Sequence, residues 1–98
     1  MNGQQTRRLS RATETVSEYL LDKGIGLFVP MADAKQVDHL FITYKPGLES
    51  EAFPDVPDVY DTLKEWLGDV IGVFESDDMK TLRIPIKALL SKRKAAHS

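Results

Sequence analysis

Histidines, cysteines, activated hydroxyls and clustered carboxylates carry most site chemistry, and this chain spaces few of them usefully. Cysteine is absent, which removes disulfides, thiolate metal sites and a cysteine nucleophile and fits a reducing, cytoplasmic setting. His39 follows Asp38, but neighbours on a strand point to opposite faces, so the two need not pair. His97 lies in a polar tail. Neither histidine has partners at a zinc-site spacing. Gly24-Ile25-Gly26 precedes an expected strand rather than a helix, so it is no phosphate loop. No serine or threonine occupies a strand-to-helix elbow beside a base. No cofactor, metal site or catalytic residue is expected.

The carboxylates are sorted along the chain. Between Gly47 and Asp78 ten acids (Glu49, Glu51, Asp55, Asp58, Asp61, Glu65, Asp69, Glu75, Asp77 and Asp78) face one base, Lys64. A calcium loop needs oxygens at alternate positions and a closing glutamate, and no such spacing occurs here. Asp58 and Asp61 favour the positive end of a helix dipole, and Asp77-Asp78 suits a tight turn. The bases gather at the ends: Arg7, Arg8 and Arg11 at one, Lys87, Lys92, Arg93 and Lys94 at the other. Side by side, Arg7, Arg8, Arg11, Lys92, Arg93 and Lys94 would form a patch able to contact phosphates. No aromatic residue is interleaved with them for base stacking. An overall pI near 5.6 also opposes a dedicated nucleic-acid binder.

These residues require elements to position them. At 98 residues, 42% hydrophobic and 29% charged, the chain supports a single domain spanning 1–98. Leu9, Ala12, Val16 and Leu20 define a first helix, ended by Lys23 and Gly24. Residues 25–29 read as a buried strand closed by Pro30, and residues 37–45 as a central strand with apolar residues on both faces. Residues 46–57 form a long, acidic, proline-rich loop, with Asp55 as N-cap of a second helix carrying Val59, Leu63, Trp66 and Leu67 on its buried face. Residues 70–75 and 80–86 are two more strands, the last at a sheet edge because Pro85 lacks an amide donor. Leu89 and Leu90 begin a terminal helix. Residues 1–6 and 95–98 are expected to be frayed.

The fold class is therefore α+β, in the order α-β-β-α-β-β-α. A four-stranded, mainly antiparallel sheet carries its helices on one face. The halves share a helix-hairpin grammar, with Leu20, Gly26, Leu27, Phe28 and Lys45 mirrored by Trp66, Gly72, Val73, Phe74 and Lys87. No apolar run matches a membrane span and no signal-peptide core precedes the first helix.

Glu14, Lys23-Gly24-Ile25, Phe28-Val29-Pro30 and Val37-Asp38 resemble the opening of the PD-(D/E)xK nuclease fold. There a helix leads into a strand pair, and an aspartate near the second strand holds a divalent metal. The closing motif would fall at Pro85-Ile86-Lys87, where proline replaces the metal ligand. A proline ring cannot coordinate a cation, so the resemblance implies a degenerate, inactive nuclease-like domain.

The composition and patterning point first to a small non-catalytic interaction domain that binds a macromolecular partner, a protein, through charged surfaces. The long loop is the expected contact segment: Leu48, Phe53 and Tyr60 supply apolar anchors, and Glu49, Glu51 and Asp55 an acidic rim for a basic partner. Weak nucleic-acid binding through the terminal bases is the alternative, and the small core leaves a homodimer open.

Overall fold

The computed structural model describes residues 3–33 and 35–96. Helix α1 (Gly3–Asp22) leads into strands β1 (Val29–Ala32) and β2 (His39–Tyr44). A short helix α2 (Leu48–Ala52) and helix α3 (Val59–Leu67) follow, then β3 (Gly72–Ser76), β4 (Met79–Pro85) and α4 (Ile86–Ala96). The four strands form one antiparallel sheet in the order β1-β2-β4-β3. The α+β class and the helix-hairpin order match the sequence pattern, with α2 as an extra turn inside the expected loop. Of the terminal segments expected to fray, residues 3–6 and 95–96 are helical, while residues 1–2 and 97–98, including His97, lie outside the described residues.

The register of β2 on β4 sets the core. Leu40 faces Ile84 and Ile42 faces Leu82, and because side chains alternate along a strand, all four point to the same side. Leu9, Ala12, Val16 and Leu20 of α1, Val59 and Leu63 of α3, and Ile86 and Leu89 of α4 close over them. The stripe on α1 returns every three or four residues, the spacing that keeps one helix face inward. Thr13 and Thr15 satisfy their hydroxyls by donating to the carbonyls of Leu9 and Arg11.

Three sequence expectations are corrected. Residues 25–28 are not a strand. Gly24, at φ 86°, ends α1 in a Schellman motif: Ile25 N–H donates to Leu20 O (2.9 Å) and Gly24 N–H to Leu21 O (3.0 Å). That motif turns the following hydrophobic residue back on the helix end. Ile25 is 1% exposed for this reason, whereas Leu27 is 52% exposed.

The last strand is central rather than at an edge. Ile86 N–H donates to Asp38 O across the β2–β4 seam. In an antiparallel ladder hydrogen-bonded pairs alternate with non-bonded ones, so the ring nitrogen of Pro85 faces away from β2. It faces the side of β3, which reaches only to Gly72 opposite Arg83 and does not extend beside Pro85, so the missing donor breaks no bond.

Trp66 is only partly buried. It stacks on Tyr19 of α1, with ring centroids 3.9 Å apart and planes within 4°, instead of sitting between helix and sheet. The α3 stripe is satisfied at Val59 and Leu63, and its C-terminal turn rides on α1.

The Schellman reading of residues 24–27 has a measurable consequence. Ile25→Ala should cost about 2–5 kcal/mol, as for a core residue, and Leu27→Ala less than about 0.5 kcal/mol. Urea denaturation of the two variants measures this. Equal losses would restore a buried strand at 25–29.

Candidate functional site

The terminal bases do not converge. Arg8 reaches Asp38 (4.0 Å), beside the start of α4, while Arg93 reaches Glu14 (3.7 Å), near the far end of α4. The two groups thus stand at different levels of the α1–α4 pair, each with a carboxylate beside it. Arg7, Arg11 and Lys92 are exposed, and Lys94 lies on the last turn of α4. The nuclease-like positions also separate. Asp38 is held by Arg8, Pro85 ends β4 opposite His39, and Lys87 belongs to α4. Among the described residues no three of His, Cys, Asp or Glu gather as metal ligands. No described helix is long and apolar enough to cross a membrane.

The acidic segment is partly structural. Glu49, on α2, turns its carboxylate toward the end of α1 and accepts the N–H groups of Gly26 (2.8 and 3.1 Å) and Leu27 (3.1 Å). Those amides follow the Schellman turn and precede β1, so they have no sheet partner, and the carboxylate completes them. Residues 46–57 are thereby tied to the end of α1. Asp58, not Asp55, caps α3: its side chain accepts from Tyr60 N–H (3.1 Å) and Asp61 N–H (3.5 Å).

Tyr44, at the end of β2, donates its hydroxyl to the same Asp58 oxygen (3.0 Å) and accepts from Tyr60 N–H (3.3 Å). Burial, and then the hydrogen bond to Asp58, raise the Tyr44 pKa far above its ordinary value of 10.0. These groups border a cleft of about 270 Å³ that also takes in Lys45, Ser50 and Val56. The carboxylates and the phenol there serve the fold, as a strap, a cap and a bridge from sheet to helix. Of the residues expected to bind a partner, Leu48, Glu51, Phe53 and Asp55 are exposed, Glu49 is the strap, and Tyr60 is half-buried with Lys64 and Lys80 near its ring.

The face that the helices leave open was not singled out in the sequence. Opposite the core, Val29 and Met31 of β1, Phe41 and Thr43 of β2, Thr81 and Arg83 of β4, and Phe74 of β3 share one side of the sheet. Met31 is 56% and Phe74 52% exposed, and Val29 and Met79 are exposed as well. The Thr43 and Thr81 hydroxyls bond each other at its centre (3.1 Å). Arg83 lies over the Phe74 ring (5.8 Å), with its stem packed over Gly72. A depression of about 470 Å³ lies among Met31, Phe41, Thr43, Thr81 and the Asp33 turn.

The signal for this face was present in the alternation of β2, whose Phe41 and Thr43 oppose Leu40 and Ile42. It became legible only once the register placed Met31 and Phe74 on the same side. Compared with known protein families, curated proteins and solved structures, the chain has no match in any of the three.

Tyr44 gives a pH test. Its folded pKa is raised, so its contribution is complete below the unfolded value and lost as pH rises through the folded one. Stability should begin to fall above about pH 10, and the fall should flatten in Tyr44→Phe. Denaturant titrations from about pH 8 to 11.5, spanning the ordinary tyrosine range, check this, and an unchanged alkaline slope in the variant would contradict it. The strap gives another. In Glu49→Gln the amides of Gly26 and Leu27 should exchange with solvent faster, with a stability loss of about 1 kcal/mol, readable by hydrogen exchange and urea denaturation.

Proposed function

We propose that this chain is a non-catalytic interaction domain that binds a partner protein, with the open sheet face as its docking surface. The observation supporting this most directly is the set of large apolar side chains on that face, Val29 and Met31 beside Phe41 on one flank and Phe74 and Met79 on the other, on either side of Thr43, Thr81 and Arg83. Single exposed apolar residues are ordinary, but several gathered on one face of a sheet mark an interaction site. The face has the anatomy of an interface core. Aromatic and Met side chains provide area, Arg83 is pre-positioned on an aromatic ring, and the threonine hydroxyls are already paired, so covering them leaves little unsatisfied.

The acidic loop draws less support as the main contact, because Glu49 is engaged internally, although Leu48 and Phe53 extend the exposed apolar surface. Nucleic-acid binding draws less support again. Two of the terminal bases are occupied by carboxylates, and Asp33 lines the depression on the open face.

The test compares three surface variants in affinity capture with the intact chain. Met31→Glu with Phe74→Glu should reduce the specifically captured partner by at least about tenfold, in line with loss of interface anchors. Phe53→Glu, and reversal of Arg7, Arg8 and Arg11, should leave it. Circular dichroism would show all three folded, since every substituted side chain is exposed. Loss confined to the Phe53 variant would move the site to the loop, and loss confined to the arginine variant, with binding that weakens steeply with salt, would favour nucleic acid.

A further inference from the structure

The sheet has two outer strands, and they end it differently. In β1, Met31 pairs with Phe41 and Val29 with Thr43. The alternation set by the Ile86–Asp38 bond makes those the hydrogen-bonded pairs, so Pro30 points its nitrogen outward. The β1 edge is blunted by a residue with no donor to offer. In β3 the two-residue Asp77-Asp78 turn, with Asp77 at φ 51°, closes on the Ser76–Met79 pair. Phe74 and Gly72 then bond inward to β4, and Val73 and Glu75 present their N–H and C=O groups outward. No proline protects this edge. Val73 is exposed on one side of it and Phe74 on the other, so an added strand would bury apolar surface on both faces.

Charge decides what that strand can be. Asp77-Asp78 follows β3 directly, while Asp69, which precedes it, sits beside Lys64 (3.8 Å) and Glu75 within it beside Lys80 (3.8 Å), both as exposed pairs. If a second copy paired β3 antiparallel with β3, the acidic segments before and after the strand, Asp69 and Asp77-Asp78, would be brought towards those of the other copy at both ends. Like charges placed so oppose self-pairing. A foreign strand with basic residues at both ends meets carboxylates at both ends instead.

We propose that the outer edge of β3 takes up an extended segment of the partner protein, apolar on alternate residues and flanked by lysine or arginine. The inference rests on the interaction-domain reading and assigns the chemistry of that domain's partner. Backbone hydrogen bonds to Val73 and Glu75 would hold the strand, and Phe74 and Val73 would cover its alternate side chains.

The test uses three synthetic peptides with a shared alternating Val/Thr centre: one flanked by paired lysines, one flanked by paired glutamates, and the lysine peptide N-methylated at every other residue. Binding to the intact chain is followed by two-dimensional amide NMR and hydrogen exchange. The lysine peptide should bind at least about threefold tighter than the glutamate peptide at low salt, as a few exposed ion pairs allow. It should slow exchange of the Val73 and Glu75 amides, and N-methylation on the bonding side should abolish that protection. Asp77→Asn with Asp78→Asn preserves the turn chemistry and should bring the two peptides towards parity.

Equal affinity for the two unmethylated peptides, or no binding of either, overturns the edge proposal. Binding that shifts Met31 and Phe41 while leaving the β3 amides unprotected also overturns it, yet leaves the interaction-domain reading standing. Protection of Val73 and Glu75 that grows with protein concentration alone would overturn it too, and would assign the edge to a second copy.

Discussion

The pairing of Leu40 with Ile84 and of Ile42 with Leu82 is the constraint on which the rest depends. A strand's side chains alternate, so shifting β4 by one residue would turn Leu82 and Ile84 out of the core and Arg83 into it. The penalty for burying an unpaired guanidinium enforces the register as firmly as the gain from burying leucine and isoleucine. Both helices that flank the seam are placed by it: α4 begins where β4 ends, through the Ile86–Asp38 bond, and α1 lies beside α4 with its Leu9–Leu20 stripe over the same residues. The register also decides what is left outside, because every residue it turns inward turns a neighbour outward. The open face is the complement of the core and not a separate design.

Much of this was legible in the sequence because it follows from local periodicity. The spacing of Leu9, Ala12, Val16 and Leu20, the glycines that end α1 and α3, and the alternation of β2 each carry their own signal, and the α+β order follows from them. The misreadings have a common cause. Ile25-Gly26-Leu27 has strand-like composition, yet a buried residue just past a helix end can be buried by the helix itself, and a Schellman motif uses one in that way. Pro85 argues for an edge only if one missing donor forbids a central strand. In the structure only one side of each residue bonds to a given neighbour, and the neighbour on that side has stopped. Neither fact can be read before the pairing partners are known.

The apparent internal repeat belongs with these. The strand order β1-β2-β4-β3 sets the two hairpins symmetrically about the β2–β4 seam, and a helix precedes and follows each. The sequence correspondence does not follow that symmetry. Gly26 to Phe28 precede β1, whereas Gly72 to Phe74 lie within β3. The shared grammar reflects what any helix-hairpin unit needs (a cap, a turn and alternating apolar residues), and the two halves meet those needs at different positions along their strands.

The acidic half of the chain carries the same lesson for function. Read in one dimension, ten carboxylates in sequence look like a single negative surface awaiting a basic partner. In three dimensions they divide by role. Glu49 completes the amides left over after α1, and Asp58 caps α3 and anchors Tyr44. Asp69 and Glu75 answer Lys64 and Lys80, and Asp77-Asp78 makes the hairpin turn. A carboxylate bound to backbone N–H groups has much of its field neutralised locally, so Glu49 and Asp58 offer little to a partner. Among the described residues Asp77-Asp78 pair with no cation, and they stand at one end of a strand whose outer hydrogen-bonding groups are open. Charge sorting along a sequence therefore becomes a recognition signal only after the charges consumed by folding are subtracted, and of those that remain Asp77-Asp78 stand beside the open edge of the sheet.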